Sequence, residues 1–536
     1  MEDDILIVNA VAMQTPAIGD YLYRVEQPSI AMGKIPGVTV ITVSTISPHF
    51  EALCLRADVL ILHLLTEHDL LPIVEERKRR GLATVYEISD NFVADQPGVG
   101  IRGWFRDPLN RAQAFQLITM ADAVQVTGVG LLGKYRFLND NVVVFENQIC
   151  EIGVMRTEES CPIVIGWGGS SGHTEDLRQI AQTIVDICNR HPHVIFSFMG
   201  DREQYDEIFS SIREHQKSYT TPGTLNDYYR FLETLDIGIA TMLDTPYNQC
   251  RSDIKFVEYA SRGVVPVLSA ITPYKKHAVH GTNAFLFEEN KKLAEILEDL
   301  ILDPLLRRKV ALNAFEYVEE QRMEELNAGN RVNFYKGICK KKAVKDIKVF
   351  TLARLSEGSE AYDIKKTRAE LLLSDGVVEE ANGNVDRARS LYQSAHEVLP
   401  DYYLPLFWLG YSYMRHHEDG KAIKFFKRTL GKNPRSVRSL LYLGKILESR
   451  EKEKALTWYE SALSVSSSYA PSIDAIAHLF EKSQDYSNAA RFYNNALEAN
   501  PFYSNAALGL GRVYQELGEN EKAYMAFQVA ADLCPS

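Results

Sequence analysis

The stretch DIGIATMLDTPYNQCRSDIKFVEYASRGVVPVLS, residues 236–269, decides how this chain is read. It begins with a short apolar run, Ile237 to Ala240, of strand character. A polar loop follows from Pro246 to Asp253, and then a helical segment from about Ile254 to Ser261, stopped by Gly263. Val264 to Ser269 reads as a second strand. N–H groups at a helix start point outward, and the helix dipole there favours an anion. Arg251, Ser252 and Lys255 sit at that start, with Glu258 one turn on. Strand, charged loop and helix start together make a phosphate-sized trap. Arg251 and Lys255 share a helix face if the helix begins near Ser252, and two cations so placed repel unless an anion lies between them. A diphosphate is such an anion. Glu258, on the same face, can accept hydroxyl hydrogen bonds from a ribose, as acidic residues do in dinucleotide folds. A surface helix with a Lys–Glu pair, worth roughly 0.3 kcal/mol, accounts for the same residues equally well at this point.

The surrounding chain has an alternating pattern. Apolar runs at 5–9, 38–44, 58–65, 84–90, 123–128 and 141–149 are separated by amphipathic segments. This predicts parallel strands covered by helices on both faces, a doubly wound sheet over 1–155. The pattern restarts with IVIGWGG (163–169), and VIFSFMGD (194–201) follows a helical segment from Thr174 to His191. Helical segments at 226–235, 291–303 and 304–321 complete a second α/β domain, placed at 156–335. A basic linker is expected at 336–360, a solvated segment by its composition.

Residues 361–536 repeat. A small residue recurs at Gly376, Gly410, Gly444, Ala477 and Gly511, and an alanine at Ala388, Ala422, Ala455, Ala489 and Ala523. Proline closes four of the five units, at Pro400, Pro434, Pro501 and Pro535, with Ser467 in the third. Small residues let paired helices approach, and proline ends the second helix of each pair. This resembles the tetratricopeptide repeat in five successive units, an α-solenoid. Such arrays form extended binding surfaces. Phe407, Tyr411, Arg438, Lys445, Asn505 and Arg512 are the candidates to line one.

Composition narrows the function classes. The 536 residues carry a formal net charge of −12, which argues against a nucleic-acid partner. Residues 361–536 hold 21 basic and 22 acidic side chains, a net −1, so −11 falls on residues 1–360. Seven cysteines without a CxxC pair point away from a zinc site or a disulfide scaffold and fit a reducing compartment. MEDDILIVNA has no signal-peptide pattern, and no apolar run approaches the ~20 residues of a membrane span. The expected location is cytoplasmic, with peripheral contact at the inner membrane face as a further option.

Two successive α/β domains, a restart near 160 and helices returning after the second domain resemble the GT-B fold of glycosyltransferases. PYNQCRSDIKFVEYASRGVVPVLS is similar to the donor-site segment of their family-four-like, retaining group, where a basic-Ser-x-x-Lys-x-x-Glu run precedes a small-Gly-x-Pro-Val turn. IGWGGSSGHTEDL resembles the glycine turn opening their second domain, and NQI (147–149) the Asn that begins their hinge. The resemblance implies a glycosyltransferase of hexosyl or N-acetylhexosaminyl type, retaining and metal-independent, with a nucleotide-sugar as substrate and no other cofactor. Arg251, Lys255 and Glu258 then carry the catalytic roles: two cations on the diphosphate and an acid on the ribose. Gly168, Gly169 and Ser170 admit the donor to the backbone, and Ser252 and Asn248 belong to the same donor set. Gly19 faces the phosphate from the other domain, and His173 is a further donor contact. His63, Glu67 and Asp90 follow strand ends and are candidates for the acceptor side. Cys250 stands where many members have the first acid of a Glu-x7-Glu pair, which leaves the sugar unread. The repeats are expected to recruit a protein acceptor or partner, or to associate with a second copy. The alternative is a non-catalytic scaffold with a degenerate transferase domain.

Overall fold

A computed structural model describes residues 4–12, 19–94, 103–155, 161–339 and 360–533. Most of the expected basic linker, 340–359, lies outside the described residues. The first sheet has six parallel strands: β1 (Ile5–Val11), β2 (Val38–Ser44), β3 (Val59–His63), β4 (Ala83–Ile88), β5 (Ala123–Val126) and β6 (Val142–Val144). They lie in the order β2-β1-β3-β4-β5-β6. Every residue of β1 and β4 is buried, as runs rich in Ile and Val require when helices cover both faces. The second sheet contains β7 (Ile163–Gly168), β8 (Val194–Met199), β9 (Lys217–Thr220), β10 (Ile237–Ala240), β11 (Val265–Ser269) and β12 (Phe285–Phe287). Its order is β12-β11-β10-β7-β8-β9, again all parallel.

Both sheets reverse their winding once, at β1/β3 in the first and β7/β10 in the second. Ligands of open α/β sheets bind outside the carboxyl ends of strands at such switch points. Two crossovers join the domains side by side: the Ile149 N–H donates to the Arg322 carbonyl and the Glu324 N–H to the Ile149 carbonyl, at 3.1 and 2.8 Å. The helix Glu324–Ile338 then returns to the first sheet, where Ala328, Val332 and Tyr335 pack with Ile5, Ile7, Val59 and Ile61. Sequence position puts this helix with the second domain, and burial of its apolar face puts it on the first.

The repeat region is five antiparallel helix pairs, from Glu360–Ala381 with Val385–Val398 to Ser504–Glu516 with Asn520–Leu533. In four of the five units the small residue of the first helix is a glycine that lies against an aromatic ring of the second: Gly376, Gly410, Gly444 and Gly511. A Cβ on Gly444 would fall 2.3 Å from the Tyr459 ring, and one on Gly376 would fall 2.5 Å from Tyr392.

The array docks on the first domain along the edge where its first helices begin. Tyr402, two residues past Pro400, donates to the Ile46 carbonyl. Tyr469, at the same place in its unit, shares a 3.0 Å hydrogen bond with His68. Tyr503 packs with Ala112. The Gln116 amide donates to the carbonyls of Ser468 and Ala499, at 3.0 and 2.9 Å. Arg438 binds Asp69 at 2.8 Å and lies over the Phe407 ring. Two of the expected surface residues are therefore used internally: Phe407 is 2% exposed, and Arg438 is an intramolecular anchor. Arg512 pairs with Glu481, a neighbour within the array.

The Asp69–Arg438 pair is largely buried, so losing one partner strands the other charge. Asp69→Ala should lower stability by about 2 kcal/mol. The double variant with Arg438→Ala should recover part of that loss in urea denaturation of the full chain. Additive losses would mean that the pair does not couple the array to the first domain.

Candidate functional site

The segment 236–269 folds as a strand, a loop, a short helix and a strand. β10 ends at Ala240, Asn248–Cys250 form a 3-10 turn, the helix Ile254–Ala260 follows, and β11 begins at Val265. The helix has two turns only. Gly263 turns the chain at φ +67° to reach β11. Asp253, in the cap position, does not cap it: both carboxylate oxygens accept from Arg322, at 2.6 and 2.8 Å. Arg322 also donates to the Gln148 side chain and the Asn147 carbonyl of the crossover. The Asn147 amide donates to Ser252 Oγ at 3.0 Å, and its oxygen accepts from Arg24 of the first domain. Ser252 is thereby tied to the hinge.

Lys255 and Glu258 share a helix face, 3.0 Å apart. The Glu258 carboxylate is 4% exposed. Its Oε1 accepts the Tyr23 hydroxyl from the first domain at 2.5 Å, and its Oε2 accepts the Tyr228 hydroxyl at 2.8 Å. Lys255 also donates to the Tyr228 oxygen at 2.6 Å. Burial and the Glu258 charge hold the Tyr23 phenol well above its ordinary range, so it stays a donor. A π-helical turn, Leu22–Glu26, directly precedes the helix Gln27–Gly33 and carries Tyr23. π-turns are rare and concentrate at functional sites. A carboxylate offers about four acceptor positions. Three donors already engage Glu258, so a further donor must take the remaining position or displace a tyrosine.

His173 sits beside these cations. Its Nδ1 and Asp176 Oδ2 are 2.8 Å apart, and its ring meets Trp167 edge-on. Asp176 is fully buried; its other oxygen accepts the Leu243 N–H at 2.8 Å and the Asn248 amide at 3.1 Å. Asn248, at 0% exposure, thus braces the loop from inside. Gly168 and Gly169 are crowded by the protein itself. A Cβ on Gly168 would meet Tyr228 at 2.8 Å, and one on Gly169 would meet Trp167 at 2.6 Å. Cys250 is buried in the apolar core of the first domain, with the Asn91 amide 3.7 Å from its sulfur. A Cβ on Gly130 would fall 2.3 Å from the Gln249 carbonyl, so only glycine lets the two domains close here.

A cavity of about 860 Å³ lies where the two sheets' switch points face each other. Val11 and His63, the ends of β1 and β3, line it from the first domain, with Gly19 beside them. Ser170, Tyr247 and Arg251 line it from the second. Glu67 and Asp90 reach it as well, and so does Arg438 from the repeats. The Tyr247 hydroxyl donates to Asp90 at 3.4 Å, which closes the cleft from both sides. Burial works against the Arg251 charge, but Asp90, Tyr247, Tyr274 and Asp176 outweigh it and hold the guanidinium above its usual range. Lys255, Glu258, Ser252, His173, Asn248, Gly168 and Gly169 are not in the cavity lining. Asp176, Tyr23 and Tyr228 were not among the candidates. Asp176 lies inside the quoted IGWGGSSGHTEDL, three residues past His173, and that helical spacing was the available signal. Among the described residues, no group of three His, Cys, Asp or Glu side chains could hold a metal ion.

Two Rossmann-like domains facing a shared cleft, with the last helix returning to the first, form a GT-B architecture, and the five helix pairs are tetratricopeptide repeats. Residues 475–536 match the family model described as Tetratricopeptide repeat. Anaphase-promoting complex subunit 6 of Arabidopsis thaliana is 27% identical over 139 residues, 25% of this chain and 26% of that protein. Cell division cycle protein 27 homolog A, from the same organism, is 31% identical over 105 residues, 19% of this chain and 15% of that protein. The chain spans about a quarter or less of the length of these relatives. Among solved structures, Anabaena Alr3699/HepE in complex with UDP and glucose is similar over 62% of this chain and 100% of that one, at 13% identity and TM-score 0.48. TarM is similar over 53% and 58%, at 13% identity and TM-score 0.42.

Burial, with the charges of Arg251 and Lys255 and against the pull of Asp176, pushes the His173 pKa down to about 4. In the unfolded chain a histidine takes its proton near pH 6.5. The unfolded state thus binds more protons in between, and the folded state loses stability as pH falls from about 6.5 toward 4. His173→Gln should flatten the pH dependence of the unfolding free energy across that window, measured by urea titration. Equal slopes in both proteins would contradict the buried, neutral imidazole.

Proposed function

We propose that the chain is a glycosyltransferase that takes a sugar from a nucleotide-sugar donor, with its repeats recruiting a protein acceptor or partner. The observation carrying this reading is Arg251 on the wall of a cavity onto which both switch points open, with hinge-bound Ser252 and the Lys255–Glu258 pair on the same short segment. In this reading Arg251 and Lys255 hold the diphosphate and stabilise the leaving nucleoside diphosphate as negative charge builds on it. Glu258 takes the ribose, with Tyr23 or Tyr228 yielding a hydrogen bond. Ser252 adds a phosphate contact from a backbone fixed by the hinge. His173, held neutral beside the cations, gains its proton when a diphosphate neutralises them and then donates to it. His63, Glu67 and Asp90 face the acceptor. The transferred sugar is a hexose or N-acetylhexosamine, moved with retention and without a metal. In this reading the protein works in the cytoplasm, with peripheral contact at the inner membrane face as a further option. No helix among the described residues is long and apolar enough to cross a membrane.

A second reading, a nucleotide- or partner-binding scaffold without turnover, is favoured by two observations. Tyr23, Tyr228 and Lys255 already occupy Glu258, and Cys250 turns into the first domain's core. Slow release of nucleoside diphosphate from a panel of nucleotide-sugars separates the two, since a scaffold releases none. Lys255→Ala should cut that release by about a hundredfold, as removal of one preorganised donor costs on the order of 3 kcal/mol. It should also abolish the rise in melting temperature caused by nucleoside diphosphates. Unchanged turnover in the variant would sink the assignment of Lys255.

A further inference from the structure

Beyond Arg251 the cavity continues to the repeats. Val377, Tyr403, Leu404 and Trp408 build its far wall, with Asn433 and Arg435. At about 860 Å³ it sits in the upper part of the range, about 300–1,000 Å³, of pockets that enclose drug-sized ligands. The Trp408 ring is braced by stacking on Tyr392 and by edge contacts to Phe407 and Tyr411. The repeats are therefore part of the site's enclosure as well as an appended array.

The charge of this lining selects what enters. Asp20, Glu51, Glu67, Asp69 and Asp90 line the cavity, against Arg251, Arg435 and Arg438. Arg438 is bound to Asp69, and Arg435 lies 3.4 Å from Glu51. Among the described lining residues, five carboxylates against three arginines leave a formal −2, His63 left uncounted. A donor diphosphate adds further negative charge. Such a field repels an acceptor that carries phosphates and attracts a cationic one. The repeat wall sets Val377, Leu404 and the Trp408 ring beside Tyr403, Asn433, Arg435 and Arg438, an apolar floor with a polar edge that suits the mixed side chains of a peptide.

We propose that the acceptor is a polypeptide segment of neutral to basic charge, gripped between the repeats and the first domain, with Trp408 and Arg435 as specificity-determining residues. This deepens the transferase reading and rests on it. Apolar side chains of the segment lie against Trp408 and Leu404, and its basic groups face the carboxylates.

The test is fluorescence anisotropy of the full chain with dye-labelled random twelve-residue peptides, in an apolar–Lys pool and an apolar–Glu pool. The Lys pool should bind at least tenfold tighter. Trp408→Ala should weaken it at least tenfold. Arg435→Gln, which removes a competing cation, should tighten it about threefold, the effect of one exposed charge interaction. A misfolded variant cannot produce that gain. Equal binding of both pools, preference for the Glu pool, no gain in Arg435→Gln, or displacement of the Lys pool by maltoheptaose would each overturn the proposal. Peptide binding is read without any sugar donor. Its failure leaves the nucleoside diphosphate melting shift as a separate reading of the donor site, and loss of that shift alone sinks the transferase reading.

Discussion

The arrangement depends on one buried ion pair. Arg322 holds Asp253 through two hydrogen bonds, with the side chains 2% and 6% exposed. A charge buried this deeply is tolerated only if it is paired and its remaining donors are satisfied. Arg322 meets that condition by also binding Asn147 and Gln148 of the first crossover. One guanidinium thus joins the end of the second domain, the hinge and the start of the helix Ile254–Ala260. Ser252 and Lys255 sit on either side of Asp253, so their positions relative to the first domain are set by this pair. Burial works against the Arg322 charge, and Asp253 more than compensates, holding the guanidinium above its usual range.

The same economy of contacts explains the repeats. An isolated array exposes the edge where its first helices begin. Here Tyr402, Tyr469 and Tyr503 bring that edge onto the first domain, and the apolar core of that domain is continuous with Leu440, Tyr459 and Tyr469 of the array. Docking leaves a gap at Trp408 and Arg435 that opens toward Arg251. The cavity has three walls because three units meet. Arg251 at the inner end and Trp408 with Arg435 at the outer end thus share one enclosure.

Much of this is legible in the chain before folding. Runs such as VTVITVS and VIFSFM are dense in β-branched or aromatic residues and form β2 and β8 where they stand. The repeats announce themselves because Gly376, Gly410 and Gly444 meet a packing demand that recurs every 34 residues. KSYT at β9 and FLF at β12 are too short and too mixed to carry a pattern. The occupants of Glu258 were hidden for a different reason. Tyr23 lies 235 residues away, and no local periodicity encodes such a contact. Likewise Gly168 and Gly169 suggest room for a ligand, yet the space beside them is filled by Tyr228 and Trp167. The docking tyrosines did leave a signal: Tyr402, Tyr469 and Tyr503 each stand two residues past the end of a repeat, at Pro400, Ser467 and Pro501.

The central claim is that a nucleoside diphosphate sits between Arg251 and Lys255. The most direct measurement is a crystal structure of the full chain with a nucleoside diphosphate bound. Its diphosphate should lie within hydrogen-bonding distance of both side chains and of Ser252, with the ribose on Glu258 and one of Tyr23 and Tyr228 moved off it. A nucleotide bound elsewhere, or a Glu258 still held by both tyrosines with no nucleotide beside it, would contradict the account.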